Sequence, residues 1–381
     1  MGSYLVKKEE AFCLAYKTMI IRVLQIFHEM ANGGVSSFVM NNYRRIDKTR
    51  IQFDFMTAVN EDGYFDNEIH SLGGRTFKVC PVEKNPIKHY QDIKRIVAEN
   101  NYQIVHRHTG SAFGYFDLRA ARKGGAKHLI LHSHNPEAGN MFLHSVSKRV
   151  LKIDCIKLAC SNDSGVFLFG NNESFIVINN TIDCNRFKFD QSTRDKVRKQ
   201  LKTSNDFVIG NIGRIEKQKN HEKLIGIFNE FHKHNSHSKL ICVGDGSLLP
   251  QIKDLVHSLG LNDAVIFTGN IENVEEIIQS FDVFCFPSLY EGFGITLIEA
   301  QDNGLKCYAS KDKIPQEANI TGNVSFIPLS KTNEEWASII LNSDNSRDFS
   351  ALDTIKQKGF DLSSGAKKLT NLYEKLYFDG Q

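Results

Sequence analysis

A chain of 381 residues is too long for one ordinary core, which sets the expectation of two domains of about 150–200 residues. With 41% hydrophobic and 24% charged residues the composition is that of a soluble globular protein, and no apolar run approaches the roughly 20 residues of a membrane span. Net charge is only +3 but unevenly placed: residues 1–190 hold 25 Lys/Arg against 19 Asp/Glu, which suits an anionic membrane surface or a phosphorylated substrate, though ordinary scatter gives the same imbalance.

Residues 1–18 precede a second methionine. Their stretch AFCLAY is too short for a signal h-region and no small-residue cleavage site follows. They read as an N-terminal extension or leader ahead of a natural start at Met19. The eight cysteines form no C-x-x-C pair and mostly sit in apolar runs such as LICVG, which points to reduced thiols in a cytosolic protein.

Strands are predicted at 21–27 (IRVLQIF), 52–57, 103–108 (QIVHRH), 128–134 (HLILHSH), 156–161 and 175–179. Amphipathic stretches separate them, as in IKHYQDIKRIVAEN, where Ile87, Tyr90, Ile93, Ile96 and Val97 share a face. After Asn179 a polar, charged stretch with a short helix from Arg194 to Leu201 reads as an interdomain connection. The rhythm restarts with strands at 207–214, 238–244, 264–269, 282–287 and 306–310, with helices at about 220–233, 248–259 and 295–303. Residues 331–381 look helical. The division expected is a first domain over 19–190, a second over 191–355, and a C-terminal helix over 356–381 that packs back on the first domain. Both domains are α/β with doubly wound parallel sheets, so chemistry is expected in a cleft at the carboxyl ends of the strands.

Four stretches carry candidate chemistry. Gly33 and Gly34 open a helix after the first strand, where a backbone could approach a ligand closely; NGGVSS lacks the G-x-G-x-x-G spacing of a dinucleotide site, and taken alone the pair reads better as a tight turn. In IGNIGRIEKQKNH, Gly213 precedes Arg214, and Lys219 follows five residues later: a guanidinium fork and a mobile ammonium suit a diphosphate, the alternative being two solvated charges. VGDGS sets Gly244 and Gly246 around Asp245, with Ser247 placed to cap the next helix. PSLYEGFGITLIEAQ puts Glu291 on a loop and Glu299 one turn inside a helix, whose first amides, on Gly294, Ile295 and Thr296, form an anion site. The two acids come from one loop and helix, unlike a glycosidase pair on separate supports.

The pairs His106/His108 and His132/His134 each end a strand and face one way. A metal is the lesser reading, since no carboxylate or cysteine accompanies them; packed or substrate-facing polar roles are favoured, with His134 best placed at the cleft.

These residues resemble a family, the retaining glycosyltransferases of family 4 with the GT-B fold of two Rossmann-like domains facing across a cleft. The likeness runs from Met19 through NGGVSSFVMNNYRRID, LILHSHN, NNTID, GRIEKQKNH, VGDG and the E-x7-E segment, and is greatest to the bacterial capsule and exopolysaccharide subgroup. The resemblance implies that Arg214 and Lys219 hold the donor diphosphate, Glu291 contacts the donor sugar and Glu299 the ribose. It also implies that Gly33–Gly34 closes over the phosphate, His134 lies beside the transferring sugar, and backbone near Ile271 meets the base. Catalytic roles fall to Arg214, Lys219, Glu291 and His134. Donor binding falls to Gly33, Gly34, Gly213, Gly244, Ile271, Gly294, Ile295, Thr296 and Glu299. The activity implied is transfer of a hexosyl unit from a nucleotide-sugar donor, expected to be a UDP-sugar, to a lipid-linked or oligosaccharide acceptor, without cofactor or metal, nucleic acid playing no part. The location implied is cytoplasmic, peripheral to an anionic inner membrane face. Alternatives are a non-catalytic nucleotide-sugar-binding component of an assembly complex, or a GT-B epimerase. Asn220 and Thr181 depart from the family's usual glycines.

Overall fold

A computed structural model describes residues 20–30, 33–59, 63–311 and 314–379. The leader at 1–18, the start at Met19 and Cys13 lie outside them. The chain divides into two compact units, one ending at Asn180 and resuming at Leu362, the other spanning Thr181–Asp361.

The first unit holds a parallel sheet of β1 (Ile21–Ile26), β2 (Ile51–Thr57), β3 (Thr76–Lys78), β4 (Ile104–Thr109), β5 (His128–Ser133), β6 (Ile156–Ala159) and β7 (Ile176–Val177), in the order β3-β2-β1-β4-β5-β6-β7. Its central strands are buried on both faces because helices cover both, as a parallel sheet requires. Helix Pro86–Glu99 shows the local code. Asn85 caps it by accepting from the Lys88 amide, Pro86 fixes the first turn, and Ile93, Ile96 and Val97 are buried. Ile87 is 71% exposed, because the buried stripe starts a turn later than the periodicity predicted. The helix Leu362–Asp379 belongs to this unit and buries Tyr373 beside β1 and β4.

The second unit is a parallel sheet of β8 (Phe207–Ile212), β9 (Ser238–Val243), β10 (Val265–Gly269), β11 (Val283–Phe286), β12 (Lys306–Ser310) and β13 (Val324–Ile327), ordered β10-β9-β8-β11-β12-β13. A cluster including Ile225, Phe228, Phe231, Leu240 and Trp336 fills one face. On the other, Gly210 leaves room for Phe281: a Cβ there would fall 2.0 Å from the ring.

Two expectations change here. The polar stretch after Asn180 is part of the second unit, not a free connection. Helix Gln191–Leu201 sends Arg194 and Arg198 onto Asp282 at 2.5 Å each, and the Gln279 side chain accepts from the Asp190 amide and donates to the Lys188 carbonyl. The contact boundaries therefore fall at 180/181 and 361/362, where composition suggested 190/191 and 355/356. The helical tail is also broken into Asn333–Asn342, Ala351–Gln357 and Leu362–Asp379, and β3 and β13 are strands too short to stand out as apolar runs. The seven described cysteines are free thiols.

Candidate active site

In each sheet the strand order reverses once, between β1 and β4 and between β8 and β11. The carboxyl ends of strands at such reversals are where open α/β sheets bind ligands. Gly213 and Arg214 directly follow β8, and the Glu291 loop follows β11.

These two loops are clamped together. Leu289 donates its amide to the Gln218 carbonyl at 2.8 Å, the Gln218 side chain donates to the Tyr290 carbonyl at 3.0 Å, and the Asn220 side chain donates to the Pro287 carbonyl at 3.1 Å. Asn220 has φ 56°, a left-handed conformation that glycine favours and asparagine tolerates best among the others, so its departure from glycine keeps the turn and gains a tie. Lys219 then reaches Glu291 Oε1 at 2.7 Å while its ammonium lies 4.5 Å from the Phe286 ring centroid. Both members are largely buried, the lysine side chain at 15% and the glutamate at 7% exposure. Gly213 lets the lysine stem lie across it: a Cβ there would meet Lys219 Cε at 2.8 Å. Arg214 is exposed and makes no direct ion pair among the described residues, its charge being felt by Glu216 two residues on. The two loops thus offer an exposed guanidinium and a preformed ammonium–carboxylate pair.

Gly244 braces this loop. At φ 129° it follows β9, and a Cβ would sit 2.2 Å from the Gly213 carbonyl oxygen, so only glycine lets the two turns touch. The predicted Ser247 cap is not made. Ser247 instead gives its amide and hydroxyl to Glu216, each at 2.8 Å, because helix Leu249–Ser258 starts two residues later, with Leu248 at its cap. Ile271 follows β10, whose Gly269 carbonyl accepts from the Gly244 amide at 3.0 Å.

Helix Ile295–Asp302 begins at Gly294, in the left-handed region at φ 79°. The amides of Gly294, Ile295 and Thr296 have no acceptor among the described residues, as expected of a first turn. Glu299 lies on this helix, half-buried. Burial pushes its carboxyl up to about 7 against the pull of Arg186, and Glu275 adds to the rise. Arg186 is itself paired with Glu275 at 2.7 Å. Two residues outside the predicted set stand close by. Asp302, one turn beyond Glu299, is buried with neither carboxyl oxygen partnered. His221, two residues after Lys219, is buried with both ring nitrogens unpaired, and burial lowers it to about 4. No sequence pattern marks Asp302; His221 stands in the quoted GRIEKQKNH but carries no signal of its burial.

In the first unit, Gly33 is extended (φ −158°) and opens helix Gly34–Arg45. A Cβ on it would meet no described atom within 4 Å, so neither conformation nor packing demands glycine there. His134 follows β5, and its amide donates to the Thr109 carbonyl at 3.0 Å. Strand alternation sends His106, His108, His132 and His134 to one face, where Phe38 of the Gly34 helix packs on three of the rings. Burial keeps all four imidazoles neutral, His134 at about 3. His106, His108 and His132 each offer a nitrogen within 4.8 Å of the others, a spacing a metal could use, but hydrogen bonds within the cluster already engage these rings.

Comparison with known proteins decides the family. Residues 192–342 match the family described as "Glycosyl transferases group 1". The chain is 33% identical over 371 residues to EpsF of Bacillus subtilis (strain 168), provisionally named a glycosyltransferase, covering 92% of this chain and 96% of that one. The protein belongs to the group 1 glycosyltransferases. It is also 26% identical, over 71% of its length and 73% of the relative's, to an Escherichia coli UDP-Gal:alpha-D-GlcNAc-diphosphoundecaprenol alpha-1,3-galactosyltransferase. Its fold is similar to Anabaena HepE solved with UDP and glucose (TM-score 0.74, 18% identity, 92% and 99% coverage). It is similar too to sucrose-phosphate synthase of Thermosynechococcus elongatus (TM-score 0.76, 16% identity, 94% and 99% coverage). The two parallel-sheet units are those of the GT-B fold.

Proposed function

We propose that this group 1 glycosyltransferase moves a hexosyl unit, with retention, from a UDP-sugar to a lipid-linked glycan during polysaccharide assembly. The observation that carries the reading is the β8–β11 switch point, where the exposed Arg214 follows β8 and the clamped Lys219–Glu291 pair joins the two loops. Cleavage of the anomeric C–O bond leaves charge on the diphosphate. Arg214 and Lys219 bind that charge, and the first-turn amides of the Gly294 helix add dipoles. Glu291, held in place by Lys219, accepts from sugar hydroxyls, and Glu299 accepts from the ribose diol. Gly213 and Gly244 admit the phosphate, and backbone near Ile271 meets the base. In the first unit, Gly33–Gly34 and His134 bind phosphate and hydroxyl groups of the substrates. Retention then follows from attack on the leaving-group face, with the departing phosphate taking the acceptor proton; no metal is assigned a part. The UDP bound by HepE and the diphosphoundecaprenol acceptor named for the E. coli relative support the donor and acceptor classes.

For membrane association the supporting feature is helix Met141–Val150. It buries His144 and Ser147, yet exposes Met141, Phe142, Leu143, Val146 and Val150, with Phe142 at 80%. Lys148 and Arg149 lie in its last turn. Exposed apolar groups bordered by cations suit an anionic bilayer surface. No helix among the described residues is long and apolar enough to cross a membrane.

Release of UDP from a UDP-sugar with an added lipid-linked acceptor tests the reading. Arg214→Ala should cut turnover by about 100-fold or more while leaving the fold intact. Undiminished release would refute it.

A further inference from the structure

The four buried histidines are joined through two further residues into one chain of hydrogen bonds. His134 Nε2 meets His108 Nδ1 at 2.9 Å, and His108 Nε2 meets Gln25 Oε1 at 2.8 Å. The Gln25 amide nitrogen donates to the Tyr373 hydroxyl at 3.3 Å, which lies 2.7 Å from His106 Nδ1. His106 Nε2 meets His132 Nδ1 at 3.2 Å, and the chain ends at His132 Nε2, buried without a partner. Its other end is His134, at 5% exposure the most open of the four, whose Nδ1 makes no hydrogen bond to a described residue.

A neutral imidazole has one N–H and one bare nitrogen, so each link in such a chain fixes the next. The one member whose two ends cannot exchange roles is the amide of Gln25, which accepts through oxygen and donates through nitrogen. Its oxygen faces His108, so His108 carries its proton on Nε2 and leaves Nδ1 bare. His134 must then donate from Nε2, which leaves its own Nδ1 bare. On the other side the amide nitrogen donates to Tyr373, and the tyrosine hydroxyl donates to His106 Nδ1. His106 then donates from Nε2 to His132. All four rings share the Nε2–H form, and turning the amide over would convert all four together.

We propose that Gln25 is a positioning residue which, through His108, fixes the tautomer of His134, so that His134 presents a bare Nδ1 as a hydrogen-bond acceptor for a ligand hydroxyl. His134 in this role holds a hydroxyl group without carrying a proton through the reaction. Tyr373 extends the same polarity to His106 and His132, which makes the helix Leu362–Asp379 part of the setting as well as of the fold. The tautomer assignment stands on the first unit alone; only its kinetic consequence rests on the transferase reading above.

Nitrogen-15 NMR of the full chain labelled at histidine reads which ring nitrogen bears the proton. The expected result is Nε2–H on all four buried rings. In Gln25→Leu, the acceptor for His108 Nε2–H is gone; His108 should move its proton to Nδ1, donate to His134, and turn His134 to the Nδ1–H form. Tyr373→Phe should leave His108 and His134 unchanged, because the Gln25 carbonyl still accepts. In turnover, Gln25→Leu should lower kcat roughly tenfold with donor KM within about twofold. A proton on His134 Nδ1 in the parent protein, or an unmoved His134 tautomer in Gln25→Leu, overturns the proposal. So does a stoichiometric zinc ion on His106, His108 and His132, since it would take the nitrogens the chain uses. If the tautomers are as stated but no sugar is transferred, the transferase reading fails and the relay stands.

Discussion

Asp302→Asn should stabilise the second unit, by an amount that grows with pH. Asp302 is 3% exposed and neither of its carboxyl oxygens finds a partner among the described residues. Burial raises its pKa from the usual 3.8 to about 8, with Lys356 opposing and Glu299 and Asp183 adding. The folded protein therefore keeps this proton up to about pH 8, while the unfolded chain releases it near pH 4. Between those values the folded state binds more protons, so stability falls as pH rises through the window and levels above it. Each pH unit costs about 1.4 kcal/mol, so the three units from pH 4 to 7 amount to about 4 kcal/mol. Water penetration and relaxation bring the figure to about 2–4 kcal/mol. Asparagine keeps the shape and has no charge to suppress. The chain's single tryptophan, Trp336, is buried in the second unit, so its fluorescence during urea unfolding reports that unit. The stability difference between D302N and the parent should be small at pH 4.5, widen steadily to pH 8 and then hold constant. A difference that does not change with pH, or a variant less stable than the parent at pH 8, would refute the reasoning.

A carboxylate that accepts from a ribose diol binds best when ionised, so UDP affinity should rise with pH through about 7, the value to which Glu299 is raised, and Glu299→Gln should flatten that dependence in calorimetric titrations. If the helix Met141–Val150 docks on lipid, the double change Phe142→Asp, Val146→Asp should abolish flotation with anionic vesicles and leave UDP binding intact; flotation unaffected by the change or by vesicle charge would count against the surface.

Much of the molecule is legible in the sequence. The central strands show as short, mostly apolar runs because a parallel sheet buries both faces, and the glycine and charge motifs fall just after those runs, at the carboxyl ends where open parallel sheets generally bind ligands. The H-x-H spacing places four histidines on one face by alternation alone. Short edge strands such as Thr76–Lys78 escape, since three residues carry no period, and the polar stretch 181–201 misleads because Arg194 and Arg198 are spent on Asp282 and Arg186 on Glu275, each more than eighty residues away.

What the sequence determined by itself was the α/β class, the order of the loops and the types of group each loop could offer. Only the tertiary structure decided how those groups are used. It pairs Lys219 with Glu291 across 72 residues, so that two charges read separately act as one unit. It brings Tyr373 to Gln25 across 348 residues, which turns four isolated histidines into a directed chain. It also buries Asp302 without a partner on a helix where periodicity shows only another acid. In each case the deciding quantity is a contact or a loss of water between elements far apart in the chain, and local patterns carry no record of either.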